Sequence, residues 1–172
     1  MLERSVGWNA AQVRVGALRR RPWLRASELR SAGDRQIANL GIKAGGADSS
    51  VAGLSGGNQQ KLVIGKWLEI APRVFLLDDP TRGVDVGAKR EIYQLIRRLA
   101  DSGGAVVFRS TELPELTGLA DRVLVFYRGR LTVELAGGAI TDSELLHAVN
   151  TGAPIQRPAA AVDAAGGPAD AG

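Results

Sequence analysis

Apolar positions recur along this chain in two periods, and the switches between them mark its elements. Ile37 and Leu40 stand three apart and Gly41 follows, which predicts a helix over 35–40 closed by a glycine. Residues 45–50 are a loop by composition. Beyond Gly57, the residues Leu62, Ile64, Trp67 and Leu68 predict the apolar face of a second helix, which Pro72 stops. Residues 74–77 are a short unbroken apolar run, the pattern of a strand buried on both faces. Asp85 is a good N-cap for a helix carrying Ile92, Leu95, Ile96 and Leu99. Gly103-Gly104 ends that helix, and residues 105–108 predict a second buried strand. Leu113, Leu116 and Leu119 suggest a short helix. Apolar runs at 123–127 and 131–135 flank Arg128-Gly129-Arg130, a hairpin signal. Thr141 and Glu144 read as a capping box before Leu145, Leu146 and Val149.

Strands that alternate with helices imply an α/β layered core with a mainly parallel sheet. The pattern is weak at both ends. Residues 1–50 read as an irregular N-terminal segment with little helical patterning, and 51–150 hold the periodic core. From Thr151 to 172 the chain is mostly Ala, Gly and Pro, a composition that cannot bury enough surface to order itself and predicts a disordered tail.

Composition narrows the function classes. The chain has 172 residues, 45% hydrophobic and 23% charged, which suits one soluble domain with a real core. No apolar run approaches the ~18 residues of a spanning helix, and no secretory-signal layout opens the chain. The absence of cysteine excludes disulfides and cysteine–zinc sites. The single histidine, His147, cannot make a histidine metal cluster and reads as a surface or packing residue. A cytoplasmic location is the expectation. The net charge of +4 is weighted to the start, with Arg4, Arg14, Arg19, Arg20, Arg21, Arg25 and Arg30. Such a segment could touch nucleic acid or anionic lipid. A solvated basic surface is the plainer reading, because no nucleic-acid motif accompanies it.

Two stretches carry the chemistry. Residues 54–61 read Leu-Ser-Gly-Gly-Asn-Gln-Gln-Lys, a glycine turn opening a helix, whose N–H groups and dipole suit an anion. Residues 74–80 read Val-Phe-Leu-Leu-Asp-Asp-Pro, a strand that delivers two carboxylates suited to Mg²⁺. Residues 79–89, Asp-Pro-Thr-Arg-Gly-Val-Asp-Val-Gly-Ala-Lys, and 110–115, Ser-Thr-Glu-Leu-Pro-Glu, follow in order. This ordered set resembles the signature, Walker B, D-loop and switch segments of the ABC-transporter ATPases. The resemblance covers about 37–135 and is closest to the second ATPase half of the bacterial ribose-, galactose- and xylose-type importers.

The resemblance implies a partial P-loop ATPase core plus part of the helical subdomain. It also implies ATP and Mg²⁺ as ligands, and two ATPase domains that sandwich the nucleotide. Ser55, Gly56, Gly57, Asn58 and Gln60 would face phosphate, with the two glycines allowing close backbone approach. Asp78 would order Mg²⁺. Asp79 stands where the family has a catalytic glutamate; its carboxylate is one methylene shorter, and it could also simply pair locally. Asp85 would lie at the dimer interface, while as an N-cap it has a structural account as well. Thr111 stands where most members have the switch histidine, and could bond the γ-phosphate or cap the helix that follows. Arg109, beside a buried strand, has no functional account.

One departure is large: no Gly-x-x-x-x-Gly-Lys-Ser/Thr loop occurs in the sequence. The expectation is therefore a truncated or split ATPase domain of a monosaccharide importer. It would lend its signature face to a Walker-A-bearing half. Transmembrane permease subunits would be partners, a sugar-binding protein an indirect one, and the location the inner face of the plasma membrane. A non-catalytic interaction subunit, a remnant and a basic nucleic-acid module are the alternatives.

Overall fold

The computed structural model describes residues 2–13 and 25–155. Arg14, Arg19, Arg20 and Arg21 of the basic segment, and 156–172 of the expected tail, lie outside the described residues. The chain divides into two compact units, Met1–Glu112 and Leu113–Gly172.

The first unit opens with helix, where the sequence suggested irregular chain. Helix α1 (Val6–Ala11) is capped by Ser5, whose Oγ accepts the Trp8 N–H at 3.2 Å. Helix α2 (Ala26–Leu40) begins well before the expected start and ends at Gly41, whose φ of 58° is the left-handed geometry glycine adopts without strain. The two helices meet through small residues. A side chain at Gly33 would lie 2.8 Å from the Gly7 Cα, and one at Gly7 2.5 Å from the Leu29 carbonyl oxygen. Val6, Ala10, Ala11 and Ala32 are buried around this contact.

Helix α3 (Gly56–Leu68) buries Leu62 and Ile64 as expected, but Trp67 is 48% exposed and instead carries the Lys66 ammonium 5.6 Å from its ring centre. Strand β1 (Val74–Asp78) and strand β2 (Ala105–Arg109) pair in parallel, Val74 opposite Ala105 and Asp78 opposite Arg109. Helix α4 (Val86–Asp101) connects them and packs on α3 and β2, burying Ile92, Leu95 and Ile96. The expectation of strands buried on both faces is overturned. Phe75 is buried, while Val74, Leu76 and Val107 on the opposite face are 56%, 76% and 59% exposed. One face of this sheet is thus a bare apolar stripe.

The second unit holds helix α5 (Leu113–Leu119), strand β3 (Arg122–Tyr127), strand β4 (Arg130–Ala136) and helix α6 (Asp142–Thr151). The β3–β4 hairpin is antiparallel, and its two-residue turn has φ of 50° at Arg128 and 76° at Gly129, both positive as the tight hairpin turn demands. The register shifts after Val125, and the Thr132 Oγ1 donates to the Val125 carbonyl at 3.3 Å across the bulge. Val123, Val125, Val133 and Leu135 face Ile140, Leu145 and Ala148, with Leu113 and Leu116 packed alongside.

The expected capping box of α6 takes a different form. Thr141 accepts the Glu144 N–H at 3.2 Å, but its own N–H goes to the Ala139 carbonyl. The Glu144 carboxylate, buried, accepts the Ile155 N–H at 3.2 Å. Thr151, the first residue of the expected tail, ends α6 in helix with Gly152 as its left-handed cap. Parallel pairing is confined to β1–β2 among the described residues.

Candidate functional site

The Ser55–Gly57 turn sits at the N-terminus of α3. Ser55 is its N-cap residue in extended geometry, yet its hydroxyl makes no capping bond to the helix backbone. The Ser55 Oγ instead accepts the Asn58 Nδ2–H at 2.8 Å, and the Asn58 Oδ1 accepts the Lys43 N–H at 3.0 Å. Asn58 thus orients the serine hydroxyl and ties it to the preceding loop. Gln59 pins the same turn by donating to the carbonyls of Val51 and Leu54, at 3.1 and 3.0 Å. The first-turn N–H groups receive no side-chain cap and remain available to an anion. Gly56 and Gln60 line a groove of about 300 Å³ together with Lys66, Arg82 and Gly83. Two cations in one groove favour a negatively charged guest.

The two signature glycines differ. A side chain at Gly56 would find its nearest neighbour at 3.8 Å, the Gly83 carbonyl oxygen. One at Gly57 would lie 2.3 Å from the Ala88 Cβ, so Gly57 is required by the close approach of α3 to α4. No packing contact demands glycine at position 56. Packing accounts for Gly57.

The acidic pair ends β1. Asp78 and Arg109 are opposite each other in the ladder, hence on the same face. One guanidinium nitrogen, Arg109 Nη1, donates to Asp78 Oδ1 at 2.8 Å and to Asp79 Oδ2 at 2.7 Å. The remaining Asp79 oxygen, Oδ1, accepts the Thr111 N–H at 3.0 Å. The Asp79 N–H donates to the Arg109 carbonyl at 2.9 Å, and its carbonyl accepts the Arg82 N–H at 3.1 Å. The Asp79 side chain is 13% exposed and its φ is 42°, a left-handed corner that aspartate tolerates better than most residues. Its hydrogen bond to the Asp78 carboxylate, then the charge of Asp79, holds the Arg109 guanidinium further above its ordinary range.

This arrangement does not fit Mg²⁺ as it stands. The ion wants carboxylate oxygens at roughly 2.0–2.1 Å, and one oxygen of each carboxylate already meets a permanent cation. Among the described residues no group of three His, Cys, Asp or Glu side chains could hold a metal. Thr111 is exposed, and its role in the structure is the backbone bond to Asp79; the start of α5 is instead approached by Ser110, whose Oγ accepts the Glu112 N–H at 3.0 Å. Asp85 caps α4 by accepting the Ala88 N–H at 3.0 Å and is exposed. Lys89 ties Glu112 to α4 at 2.5 Å.

Sequence reasoning missed two groups here. The sequence offers no account of Arg109, although its place one residue beyond the second apolar run puts it level with Asp78. Lys61, the last residue of the signature stretch, is buried on α3, bonds the Gly41 carbonyl at 3.2 Å and pairs with Glu91 of α4. The Lys61 hydrogen bond holds the Glu91 carboxyl below the usual range. No periodicity rule places a lysine on a buried face.

The fold is that of part of an ABC-transporter ATPase cassette. The solved inward-facing conformation of a putative metal-chelate type ABC transporter superposes with a TM-score of 0.72 at 21% identity, over 86% of this chain and 59% of that one. The dimeric post-hydrolysis state of the ATP-binding cassette MJ0796 bound to ADP and Pi gives 0.65 at 21% identity, over 79% and 58%. By sequence the chain is homologous to ribose import ATP-binding proteins. That of Chelativorans sp. is 54% identical over 132 residues, 77% of this chain and 26% of that protein. Others of the same description match at 44% to 57% identity. The chain spans about a quarter of the length of these curated relatives. No protein-family model matches it.

Proposed function

We propose that this chain supplies the signature face of a monosaccharide-import ABC ATPase, working against a Walker-A-bearing half that holds the ATP. The observation that carries this reading is the Ser55–Gly56 turn: a helix N-terminus without a side-chain cap, a serine hydroxyl oriented by Asn58, and a cationic groove beside it. In this reading the α3 N-terminus faces the γ-phosphate, Ser55 and Gly56 meet it, and Gln60 lines its approach. Asp85, the exposed N-cap of α4, would lie at the junction with the partner domain, and Thr111 near the γ-phosphate. Hydrolysis proper would belong to the half that carries the phosphate-cradling loop.

The bare stripe of Val74, Leu76 and Val107 supports a partner as well. These side chains are already partly buried, so covering them is worth at most about 1.5–3 kcal/mol each, a driving force for association. Permease subunits, a sugar-binding protein and a place at the inner membrane face follow from the same reading, as does monosaccharide as the cargo. No described helix is long and apolar enough to cross a membrane.

The test is steady-state phosphate release by a Walker-A-bearing ATPase half, with and without this chain. Addition of the chain is expected to raise turnover, and Ser55→Arg, which fills the turn with a bulky side chain, to abolish the gain. A stimulated rate that survives Ser55→Arg would overturn the signature reading.

A further inference from the structure

At the acidic pair the chain's chemistry and its expected metal ligand disagree. Two carboxylates at the carboxyl end of a parallel pair are well placed for a hard cation. The space between them is spanned by a side chain of this same chain. The bridging is not an accident of a long, free arginine. Arg109 is the ladder partner of Asp78, so its stem leaves the same sheet face, and a single Nη1 reaches both acids. Thr111, two residues on, closes the other Asp79 oxygen with its N–H. Both ends of the 109–111 segment are therefore fastened to residues 78 and 79.

We propose that Arg109 is a built-in cation that closes the Asp78–Asp79 pair to divalent metal and turns the pair into a latch between the ends of β1 and β2. An arriving Mg²⁺ would have to displace the guanidinium from both carboxylates, or bind beside it. A fixed positive charge within ~4 Å of a divalent ion weakens its binding roughly tenfold or more, even in a water-like dielectric. The guanidinium cannot leave by deprotonation, because arginine stays charged throughout the accessible pH range. The acid pair thus carries a net charge of −1 with Arg109 counted, and one Asp78 oxygen and both Asp79 oxygens are already engaged.

The functional meaning rests on the reading of this chain as an ATPase segment: it would supply the signature face, while any metal-assisted chemistry would sit with the partner's nucleotide. The latch itself needs no partner to be tested. The probe is Mn²⁺ alone, titrated into the purified full chain, with free Mn²⁺ followed by electron paramagnetic resonance. Wild type is expected to take up no ion specifically. Arg109→Gln, which removes the charge and leaves a shorter polar side chain, is expected to bind one Mn²⁺ at least roughly tenfold more tightly. Adding Asp78→Asn should abolish that uptake, and Arg109→Lys should restore exclusion.

Identical titrations for wild type and Arg109→Gln would overturn the proposal, whether both bind or neither does. So would uptake that persists with Asp78→Asn. Should Arg109→Gln lose its folded circular dichroism, wild type alone still decides. Selective paramagnetic broadening of the Asp79 and Thr111 amide resonances by Mn²⁺ would refute the latch, and undisturbed resonances support it. A chain that fails to stimulate a partner ATPase yet excludes Mn²⁺ leaves the latch standing. One that stimulates yet binds Mn²⁺ overturns the latch alone.

Discussion

Substituting the two signature glycines singly separates packing from function. At Gly57 an added Cβ would lie 2.3 Å from the Ala88 Cβ, where real carbon atoms stay beyond about 3.5 Å. Neither atom has a rotamer to escape into, since each is fixed to its own backbone. Relief requires moving α3 away from α4. Overpacking of this kind costs about 1–3 kcal/mol, and a clash between two helix backbones belongs near the top of that range. The helix propensity of alanine returns at most about 1 kcal/mol. A net loss of about 2 kcal/mol is expected for Gly57→Ala, or roughly 4–8 °C in Tm. At Gly56 the added methyl has its nearest neighbour at 3.8 Å, so Gly56→Ala should be neutral or slightly stabilising. The assay is urea unfolding of the three proteins side by side, read as a change in midpoint at constant slope. Equal stability of Gly57→Ala and wild type would refute the close-approach account and reopen phosphate access as the reason for that glycine.

Two further outcomes follow from single contacts. Asp85→Ala removes the N-cap of α4 and should cost about 1 kcal/mol in the same unfolding assay, with Asp85→Asn recovering most of it; an unchanged Asp85→Ala midpoint would mean that the cap contributes nothing. Glu91 has its carboxyl lowered by Lys61, so the pair's contribution is present above the ordinary carboxylate range near 4.3 and is lost as pH falls through the lower folded value. Because Glu91 is about half exposed, solvent screening holds that contribution to about 1 kcal/mol or less. The stability gap between wild type and Glu91→Gln should accordingly be full at pH 7 and narrow below about pH 4. A gap that widens on acidification would reverse the assignment.

Where the sequence was easy to read, one physical signal dominated. The period of Ile92, Leu95 and Ile96 announces α4, and Asp85 its start, because an amphipathic helix with a capping carboxylate has little else to be. The hairpin was legible because two apolar runs flank a short Arg-Gly-Arg segment. Helices α1 and α2 were hidden for the opposite reason. They pack through Gly7, Ala10, Ala11, Ala32 and Gly33, where burial comes from close approach of backbones and leaves no apolar period to see. Apolar composition also misled at β1. Val74, Leu76 and Phe75 read alike, but only Phe75 finds a covering element among the described residues. The motif string located the turn at Ser55 and the acids at 78 and 79. It could not show that Gly57 answers to Ala88, nor that Arg109 lies between the acids, since both depend on residues thirty positions away.

Asp79 shows how such a distant pairing changes the meaning of a residue. Taken alone, an aspartate where a glutamate is expected is a carboxylate withdrawn from its task. In the fold the short side chain has a reason of its own. Asp79 turns the chain at a positive φ just after β1, and its N–H extends the ladder to the Arg109 carbonyl. From that corner, a carboxylate one carbon from the backbone sits against the 109–111 segment and meets the Thr111 N–H and the Arg109 guanidinium together. A longer side chain would have to fold back on itself to reach both, at the cost of an additional ordered torsion. Aspartate is also among the few residues other than glycine that accept the left-handed corner. Length, backbone geometry and both partners agree on aspartate at position 79, and they agree on a role in holding the ends of β1 and β2 together.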